Sequence, residues 1–367
     1  MKNSHATQAR ETLQLVREKL DEKLDIFFQQ LFKDIKQSYS EYSYESFKPL
    51  WDVTARGGKR LRGSFVIKTY ELIAHDIPNS VYDIGMAIEM THAYLLILDD
   101  IADRSNQRRG GKTAHKMIER YYKENKTFKT VDAEHFGNSI AIFVALVNQH
   151  LASNVILDSS FPVEKKLEVL HFLNRTIYET VHGQLNDIFN EIRVDVSEED
   201  IVNVLKLKTG LYTYENPISI GAALAGASIE EQKILRDYAI PAGIAFQIQD
   251  DILGVFGDPE KLGKPNLDDI REGKMTLLVH HALKVGNESQ KAIIEHSLGN
   301  PEFNSDMLED VRKVMIDTGS LDYSKTKATE YVMKAKQELK QGLEFNWSEE
   351  GYNYLMGIAD YMIQRKL

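Results

Sequence analysis

Apolar side chains recur at helical spacing from the start of the chain. Between residues 13 and 28 they follow steps of three and four: Leu13, Val16, Leu20, Leu24, Phe27 and Phe28. This spacing predicts an amphipathic N-terminal helix. Sustained period-two alternation between hairpin turns is hard to find. The pattern therefore predicts an all-α fold without a sheet.

Residues that begin and end helices divide the rest of the chain. Two pairs have capping-box spacing: Ser197 with Asp200, and Ser228 with Glu231. Three prolines fall where helices should begin or end: Pro78, Pro162 and Pro301. Three polar breaks separate helical segments: 123–134, 194–200 and 257–274. None resembles a flexible Ser/Gly linker. We therefore expect one all-helical domain over residues 1–367, in which the helical extension 1–45 has the least support.

Composition is that of an ordinary soluble globular protein. The 367 residues are 43% hydrophobic and 27% charged, and the formal net charge is −10. A net negative charge argues against nonspecific nucleic-acid binding. An anionic substrate would need local basic residues or metal ions.

The absence of cysteine from the sequence excludes several kinds of chemistry. With no cysteine there is no disulfide, no thiolate nucleophile and no cysteine metal site. The N-terminal residues lack an apolar signal region, and we expect no apolar run to approach the length of a membrane span. We therefore expect a cytoplasmic protein that is not integral to a membrane.

The stretch YLLILDDIADRSNQRRG, residues 94–110, places three aspartates after an apolar run. On a helix Asp99 and Asp103 would be i,i+4 neighbours, about 5–6 Å apart between Cβ atoms, where like charges repel. Asp100 adds a third carboxylate. Ionised carboxylates beside apolar surface are costly unless something compensates them. We expect a cation that the chain itself does not supply.

A second apolar helical segment, FQIQDDILGVFGD at residues 246–258, contains paired aspartates, Asp250 and Asp251, at what we expect to be the end of a helix. One acidic pair is usually a solvated helix end. Two such clusters suit a hard divalent cation with oxygen ligands, and Mg²⁺ fits best because it completes its shell with waters and substrate phosphates.

Basic residues are organised as well. ARGGKRLRG, residues 55–63, contains Arg56, Lys59, Arg60 and Arg62. Further basic candidates follow along the chain: Arg108, Arg109, Lys208, Lys264 and Lys274. Arginine forks match phosphate oxygens in bidentate geometry, so this set suits a diphosphate. The glycine spacing is not that of a P-loop.

Together the motifs resemble the trans-isoprenyl diphosphate synthases, the polyprenyl synthetase family that includes farnesyl and geranylgeranyl diphosphate synthases. GGKRLR, H-x6-DDIAD-x4-RRG, GQ, KTG, FQxQDD, GKP and EGK follow in family order between about residue 50 and about residue 280. The resemblance implies an isoprenoid-synthase bundle of many helices around a central apolar cavity. It also implies a homodimeric, Mg²⁺-dependent prenyltransferase that condenses isopentenyl diphosphate with an allylic diphosphate.

The resemblance also assigns roles to residues. It implies three Mg²⁺ ions with substrate bound, held by Asp99, Asp100, Asp103, Asp250 and Asp251. It implies contacts to the allylic diphosphate from Arg108, Lys208 and Lys264. It implies an isopentenyl diphosphate site of Lys59, Arg62, His92 and Arg109. Thr209 and Gln247 would line the reacting carbons, and Lys274 would lie near a closing loop. In some relatives a basic C-terminus, here Arg365 and Lys366, helps to close the site.

One position departs from the family pattern. The second motif often reads DDxxD, but the third acidic position here is Gly254. Asp258 lies beyond a further glycine and is a poor substitute. We expect water or substrate oxygens to complete that metal's shell.

Product length in the family depends on bulky side chains just upstream of the first motif. Tyr94 lies five residues before Asp99, about 7.5 Å along a helix. Leu95, at i−4, lies more directly beneath Asp99. The pattern looks more like geranylgeranyl-type than farnesyl-type enzymes. We expect a product of fifteen to twenty carbons, with geranylgeranyl diphosphate as the best single choice.

Three alternatives stay open at this point. E-x-x-H occurs at Glu89–His92, Glu168–His171 and Glu179–His182, as a di-iron bundle would require. That interpretation leaves both aspartate clusters and the arginines unexplained. A class I terpene cyclase shares the first motif, and a non-catalytic subunit of a heteromeric synthase shares the fold.

Overall fold

The computed structural model describes residues 2–56, 58–129, 131–258 and 266–364, and nearly all of them are helical. The helices up to the middle of the chain are α1 Lys2–Ser38, α2 Glu41–Ala55, α3 Leu61–Ala74, α4 Asn79–Ala102, α5 Ala114–Glu124, α6 Ala133–Asp158, α7 Val163–Ile192 and α8 Glu198–Val204. A π-helix, Leu205–Glu215, follows α8 directly. The later helices are α9 Asn216–Ala225, α10 Ile229–Phe256, α11 Asp268–Glu272, α12 Leu277–Val285, α13 Glu288–Ser297, α14 Ser305–Asp317, α15 Ser320–Lys340, the 3₁₀ helix Gln341–Glu344 and α16 Glu349–Ile363. The all-α prediction is confirmed.

The expectation of no sheet is wrong at one short hairpin. β1 Gln107–Arg108 pairs antiparallel with β2 Gly111–Lys112, in the register Gln107 with Lys112. The two residues between the strands, Arg109 and Gly110, have φ of +52° and +75°. Positive φ at both central residues is what a tight type I′ hairpin requires. A strand of two residues is too short for its alternation to register in the sequence.

Local sequence signals placed the helix ends well. Both capping boxes form, with Ser197 before α8 and Ser228 before α10. Pro78 is the N-cap residue of α4. The apolar stripe of α1 is buried at Leu13, Val16, Leu20, Leu24 and Phe28. Two prolines that the pattern did not place, Pro49 and Pro241, lie inside α2 and α10.

The chain separates into two compact units. One, here called the α4 unit, comprises Leu13–Ile67 and Ile77–Leu167. The other, the α10 unit, comprises Met1–Thr12, Lys68–Asp76 and Glu168–Leu367. Helices α1, α3 and α7 each contribute residues to both. A single domain over the whole chain stays a prediction.

In the α4 unit, α4 and α5 both pack against α6, and α2 packs against all three. Buried apolar side chains such as Ile84, Ile88 and Ile97 fill the inner face of α4. Asn148 of α6 donates its amide N–H to the Met90 carbonyl at 2.7 Å. This buried polar bond fixes α6 against α4 and so orients the end of α4 that carries the aspartates.

In the α10 unit, α10 is the central element. It packs against α15 and against the π-helix. Its apolar residues Ile244, Ile248 and Ile252 join a buried core with side chains from α12 and α14. α10 is thus held on several sides, and its paired aspartates are presented from a rigid helix.

Two helices, α4 and α6, are long and apolar enough by length and composition to cross a membrane. The expectation that no apolar run approaches such a length is therefore wrong. Of the apolar window, 67% is buried in α4 and 39% in α6. The core helix of a soluble protein meets the same length and composition criteria, and α4 is such a helix.

A cavity of about 660 Å³ opens in the α4 unit between α2, α5 and the residues after α5. Aromatic side chains dominate its lining: Tyr42, Tyr121, Tyr122, Phe128 and Phe136. None of the residues predicted for the functional site lines it. The central apolar cavity that the resemblance implies stays a prediction.

Candidate functional site

The first aspartate motif lies at the C-terminal end of α4. Asp99 and Asp100 are in its last turn, and Asp103 is the C-cap residue, whose N–H donates to the Asp99 carbonyl at 2.8 Å. The helical hydrogen-bond pattern therefore continues through the motif, as the i,i+4 spacing of Asp99 and Asp103 predicted. Asp100 is fully buried, whereas Asp99 and Asp103 are half-buried.

Arg108, on β1, turns back onto these aspartates. Its Nε and Nη2 lie 2.6 and 2.5 Å from Asp100 Oδ1, and Nη2 lies 3.7 Å from Asp99 Oδ2. The hairpin thus brings a guanidinium to a buried carboxylate, a charge-assisted contact of the strong kind. The chain itself supplies part of the compensating charge. The expectation of a further cation from outside the chain stays a prediction.

Burial decides the protonation of this pair. Burial raises the pKa of Asp100 to about 6, against the lowering effect of Arg108. Burial lowers the pKa of Arg108, but Asp100 and Asp99 outweigh it and raise that pKa above its usual value. At neutral pH both groups are charged. On acidification Asp100 takes up a proton and loses its charge first, while Arg108 stays charged.

The basic stretch before α3 contains two arginines that bind other parts of the chain. Arg56 donates to the carbonyls of Arg108 and Lys112, at 2.8 and 2.5 Å, and thereby holds the hairpin. Arg60 is buried and donates to Asp21 at 2.6 Å. Lys59 is exposed and Arg62 is half-buried. Arg56 and Arg60 therefore have structural contacts within the chain, and the two residues predicted to bind substrate, Lys59 and Arg62, are more exposed than Arg60.

A strongly basic region surrounds His92. Burial, and next the positive charges of Arg62, Arg109, Arg108 and Arg60, hold the pKa of His92 well below its usual value. Arg109 donates to the Arg56 carbonyl at 3.1 Å, and burial together with Arg60 lowers its pKa to about 10. The structure brings four of the predicted diphosphate-binding residues together: Arg62, His92, Arg108 and Arg109. A neutral His92 among arginines is suited to an anionic ligand.

Tyr94 and Leu95 lie one turn before the first motif on α4, and both are half-buried. Burial raises the pKa of the Tyr94 hydroxyl, so Tyr94 is neutral. The structure places both residues where the sequence put them, and their role in product length stays a prediction.

The second set of predicted residues lies in the α10 unit, where α7, the π-helix and α10 meet. Lys208 Nζ lies 2.9 Å from Asp187 Oδ2 on α7. Thr209 Oγ1 donates to Gln247 Oε1 at 2.6 Å, and Gln247 Nε2 donates to Asp251 Oδ1 at 2.9 Å. A continuous hydrogen-bonded chain therefore joins the π-helix to the aspartates of α10.

Glycines permit this close approach. A Cβ at Gly243 of α10 would lie 2.6 Å from the Cα of Gly210. A Cβ at Gly183 of α7 would lie 2.8 Å from the Lys208 nitrogen. Backbone atoms cannot give way at such distances, so a larger residue at either position would separate Lys208 and Thr209 from their partners. The π-helix, a rare conformation found mostly at functional sites, was not predicted.

The pKa of the Asp251 carboxyl group is strongly raised. Burial, together with the charges of Asp269, Asp250 and Asp187, raises its pKa to about 8, although the Gln247 hydrogen bond lowers it. Asp251 is therefore mainly protonated at neutral pH in the metal-free protein. Asp250, one position before it, is half-buried.

Lys274 lies beyond α11 and pairs with two acidic residues. Its Nζ is 2.8 Å from Glu272 Oε2 and 3.5 Å from Asp269 Oδ1. Lys264 and the C-terminal Arg365 and Lys366 lie outside the described residues. Asp258 is half-buried just after α10.

The donor set fits a divalent cation with oxygen ligands only in part. Oδ2 of the buried Asp100 has no hydrogen-bond partner in the described structure, and such an orphaned carboxylate oxygen suits a cation. Within the described ranges, however, no group of three or more Asp, Glu or His side chains is placed to enclose a metal. Mg²⁺ usually takes one or two carboxylates and completes its octahedron with water and phosphate oxygens. Each aspartate motif therefore supplies part of a Mg²⁺ coordination shell, which phosphate and water oxygens would complete.

Sequence reasoning missed Asp187, which pairs with Lys208. It lies four residues after Gly183, at the GQ motif, and that motif gave the only available signal. The di-iron interpretation fits poorly. Glu89 accepts the Gly63 N–H at 2.9 Å, and Glu179 lies 3.7 Å from Arg175. Glu89 thus accepts a backbone hydrogen bond, and Glu179 forms an ion pair with an arginine.

Comparison with known proteins agrees with the motifs. The family model described as polyprenyl synthetase matches residues 45–315, further toward the C terminus than the motifs alone reach. A geranylfarnesyl diphosphate synthase of Aeropyrum pernix is 33% identical over 84% of this chain and 91% of that protein. A geranylgeranyl diphosphate synthase of Sulfolobus acidocaldarius is 30% identical over 86% of this chain and 92% of that protein.

A solved structure shares nearly the whole fold. Geranylgeranyl pyrophosphate synthase from Corynebacterium glutamicum, complexed with isoprenyl diphosphate and magnesium, superimposes with a TM-score of 0.87 at 29% identity. The match covers 97% of this chain and 99% of that one. The paired aspartates of α4 and α10, the arginine hairpin and the family match lead to one conclusion: this chain belongs to the polyprenyl synthetase family.

Proposed function

We propose that this protein is a trans-prenyltransferase that condenses isopentenyl diphosphate with an allylic diphosphate to give geranylgeranyl diphosphate. The observation that carries the proposal is the end of α4, where the buried Asp100 is bound by Arg108 and keeps one unpartnered oxygen. One carboxylate oxygen is bound by an arginine and the other is able to bind a cation, an arrangement that suits a complex of a divalent metal with a diphosphate. Family membership and the names of the relatives support the same activity.

In the α4 unit, two groups of residues would bind diphosphate. Asp99, Asp100 and Asp103 would hold Mg²⁺, and Arg108 would donate to the allylic diphosphate. Lys59, Arg62, His92 and Arg109 would bind isopentenyl diphosphate. Neutral His92 can donate one ring N–H without adding charge, while the arginines neutralise the phosphates.

In the α10 unit, Asp250 and Asp251 would hold further Mg²⁺, for three ions in all with substrate bound. Mg²⁺, when bound, would neutralise the charge that develops on the leaving diphosphate. Lys208, oriented by Asp187, would donate to the allylic diphosphate. Thr209 and Gln247 are hydrogen-bonded to each other, so their oxygens are held in place. Fixed dipoles of this kind stabilise an allylic cation without attacking it.

Product sizing tests the activity directly. The purified protein would be incubated with Mg²⁺, radiolabelled isopentenyl diphosphate and, separately, dimethylallyl, geranyl and farnesyl diphosphates. We expect a twenty-carbon product from each primer. No incorporation with any primer would overturn the proposal. Cyclised hydrocarbon released from the allylic primer alone would favour the terpene cyclase.

Tyr94 would set the product length. Its ring lies one turn below Asp99 on α4 and is half-buried, so Tyr94→Ala should open space for further condensation. We expect longer products at similar primer turnover, measured by chromatography of the dephosphorylated alcohols. Leu95→Ala is the matched control for the neighbouring face. A longer product from Leu95→Ala alone would move the stop to that residue.

We also propose that two copies of this chain pair through apolar stripes on α6 and α7. Ile142, Phe143, Leu146 and Val147 are exposed on α6 at helical spacing. Tyr178, Val181, Leu185, Ile188 and Phe189 are exposed in the same way on α7. Each of the two helices thus carries an exposed apolar stripe of the kind that marks protein interfaces. Light scattering should give the mass of a dimer, and Phe143→Arg should give a monomer, whereas Leu15→Arg, at an exposed apolar residue of α1, should not.

The enzyme is further proposed to be cytoplasmic. A chain without cysteine cannot form the disulfides that stabilise many proteins in oxidising compartments. Most of the apolar window of α4 is buried within the protein. Cell fractionation should recover the activity without detergent. Recovery with the membrane pellet would contradict this location.

A further inference from the structure

An arginine outside the family motifs binds both strands of the short hairpin that carries Arg108. Arg56 Nη1 donates to the Arg108 carbonyl on β1 at 2.8 Å, and Nη2 donates to the Lys112 carbonyl on β2 at 2.5 Å. A planar guanidinium can make two such bonds with its two ends, whereas the compact ammonium group of a lysine lacks this fork. Arg56 therefore joins the two strands to each other and to the end of α2.

The remaining edge of the same guanidinium is bound by α2. Arg56 Nε lies 2.7 Å from Asp52 Oδ2, one turn earlier on the helix, and 3.3 Å from the Asp52 carbonyl oxygen. The Arg56 side chain is 21% exposed. A charged contact on one edge and two carbonyls at the other ends fix the plane of the guanidinium. Arg56 is thus a directed link between α2 and the hairpin.

The hairpin requires support of this kind. Each of its strands has two residues, and an isolated two-stranded hairpin is at best marginally stable in water. Arg109, between the strands, has a φ of +52°, which is unfavourable for a residue with a side chain. Strained conformations persist only where the surrounding structure holds them in place. Contacts from outside the hairpin therefore maintain its geometry.

Gly111 leaves room for the Arg56 guanidinium. A Cβ built at Gly111 would lie 1.7 Å from Arg56 Nη1 and 2.5 Å from Cζ. Gly111 does not have a positive φ, so its backbone conformation does not require glycine. Glycine weakens a strand and often marks the close approach of another group, which here is Arg56. The two residues therefore form a matched pair in space.

Neither residue of this pair belongs to a motif of the family. Arg56 comes just before GGKRLR, residues 57–62, and Gly111 comes just after RRG, residues 108–110. The family resemblance therefore assigns no role to either of them. Their contacts, however, determine where the first arginine of RRG lies.

We propose that Arg56 is a positioning residue that holds β1 so that the Arg108 guanidinium reaches both Asp100 and the allylic diphosphate. This inference rests on the proposed function, because that function gives Arg108 its substrate. Arg108 Nε lies 2.6 Å from Asp100 Oδ1, a contact that depends on the position of β1. Arg56 acts through Arg108, since its own Nε and both Nη atoms bind groups within the chain.

Arg109 depends less on this side chain. Its Nη1 donates to the backbone carbonyls of Arg56 and Val53, at 3.1 and 3.4 Å. Both carbonyls stay in place when the Arg56 side chain is removed. The isopentenyl diphosphate site, to which Arg109 is assigned, should therefore be affected less than the allylic site.

Steady-state kinetics tests this difference. In Arg56→Ala we expect the KM for the allylic diphosphate to rise at least about tenfold, since misplacing a binding group by about 1 Å can cost up to about 100-fold. The KM for isopentenyl diphosphate should stay within about threefold of its original value, because its backbone contacts remain. A role in folding alone would lower the amount of active enzyme, and so kcat, with both KM values unchanged, and that result would overturn the proposal. Gln107→Ala, at an exposed residue of β1, is the control and should change neither KM.

Gly111→Ala removes the same contacts without altering either arginine. The new Cβ would take the place of Arg56 Nη1, and the guanidinium, at the end of a flexible side chain, would move aside. The KM for the allylic diphosphate should therefore rise about as much as in Arg56→Ala. In the double variant it should stay within about threefold of either single variant, because paired changes at one contact are not additive. Multiplication of the two effects would show that the residues act separately and would overturn the proposal.

Hydrogen exchange without substrate separates this inference from the enzyme activity. Exchange of amides 104–113 would be followed by mass spectrometry in the full-length protein in EDTA. We expect exchange at least about tenfold faster in Arg56→Ala and in Gly111→Ala, because the hairpin opens more often. Unchanged exchange in both variants would overturn the positioning role. If the unaltered protein forms no prenyl product, faster exchange in both variants would still support the positioning of Arg108, and only the proposed function would fail.

Discussion

The aspartates at the end of α4 lie beside an arginine eight residues along the chain, whereas those on α10 lie beside a neutral amide. Arg108 contacts both Asp100 and Asp99. Asp251 accepts a hydrogen bond from Gln247. Lys208 and Lys274 pair with other carboxylates, Asp187 and Asp269. Two motifs that look alike in sequence are therefore compensated by different means.

The difference appears in the protonation of each motif. Asp100 has a pKa of about 6 and is mainly ionised at neutral pH. Asp251 has a pKa of about 8 and is mainly protonated there. A cation that binds at α10 must therefore release a proton, while one that binds at α4 must share its carboxylates with Arg108. Metal binding at α10 should depend more steeply on pH near neutrality.

The largest expected effect comes from removing a carboxylate of the α4 motif. Asp99→Ala should lower kcat by more than about 1,000-fold, because several kcal/mol of charge stabilisation are lost at the leaving group. Circular dichroism should show little loss of fold, since Asp99 is half-buried. Asp158→Ala, at the exposed end of α6, is the control. Intact activity in Asp99→Ala would remove this residue from the metal site.

Arg108→Ala tests whether an internal cation stabilises the α4 motif. It leaves the fully buried Asp100 without its guanidinium, and breaking a buried pair costs about 3 kcal/mol or more. We expect that loss in the free energy of unfolding at pH 8 in EDTA. The loss should shrink at pH 5, since the buried carboxyl group is then protonated. Arg120→Ala, which breaks an exposed pair with Glu124, should change little, and an equal effect of both variants would contradict the comparison.

The protonated state of the α10 motif can be tested with Asp251→Asn. The folded pKa of Asp251, about 8, lies above the unfolded value. The folded protein therefore binds the extra proton between about pH 4 and pH 8, and this group lowers stability as pH rises through that range. In EDTA at pH 9 the variant should be more stable than the unaltered protein by about 5 kcal/mol, since each pKa unit is worth about 1.4 kcal/mol. Below about pH 4, where Asp251 carries its proton in both the folded and the unfolded state, the two unfolding curves should nearly coincide. A constant difference at both pH values would argue against this titration.

Much of the helical framework was predictable because its signals are local. The capping boxes at Ser197 and Ser228 form, and Pro78 begins α4. Each of these depends on residues within one turn of each other. The first aspartate motif was placed at the end of α4 for the same reason, since an apolar run followed by acidic and polar residues describes such an end. The same expectation for Asp250 and Asp251 is wrong, because α10 continues for five residues beyond Asp251.

The compensation of charge was not predictable because it depends on tertiary contacts. The contact of Arg108 with Asp100 needs a two-residue hairpin, and that of Lys208 with Asp187 needs the approach of α7 to the π-helix. Asp269 lies over Gly254 although fifteen positions separate them in the chain. Periodicity and capping contain no information on such pairs. The residues of the candidate site were therefore found by motif, while their partners were found by structure.

The smallest expected effect concerns the hydrogen bond that leads to the α10 aspartates. Thr209 is buried and its hydroxyl donates to Gln247 at 2.6 Å. Thr209→Val keeps the shape and removes the donor, which should lower the free energy of unfolding by about 1 kcal/mol. If the bond also positions the Gln247 amide, kcat should fall about tenfold, equivalent to about 1.4 kcal/mol.

The control is Thr180→Val on α7, where the buried hydroxyl has no hydrogen-bond partner among the described residues. That change should be neutral or stabilising, and an equal loss in both variants would show that Thr209 contributes packing rather than a directed hydrogen bond. A fall in stability without any fall in kcat would show that the hydrogen bond to Asp251 alone positions Gln247. The α10 motif would then depend on one direct side-chain contact, as the α4 motif depends on Arg108.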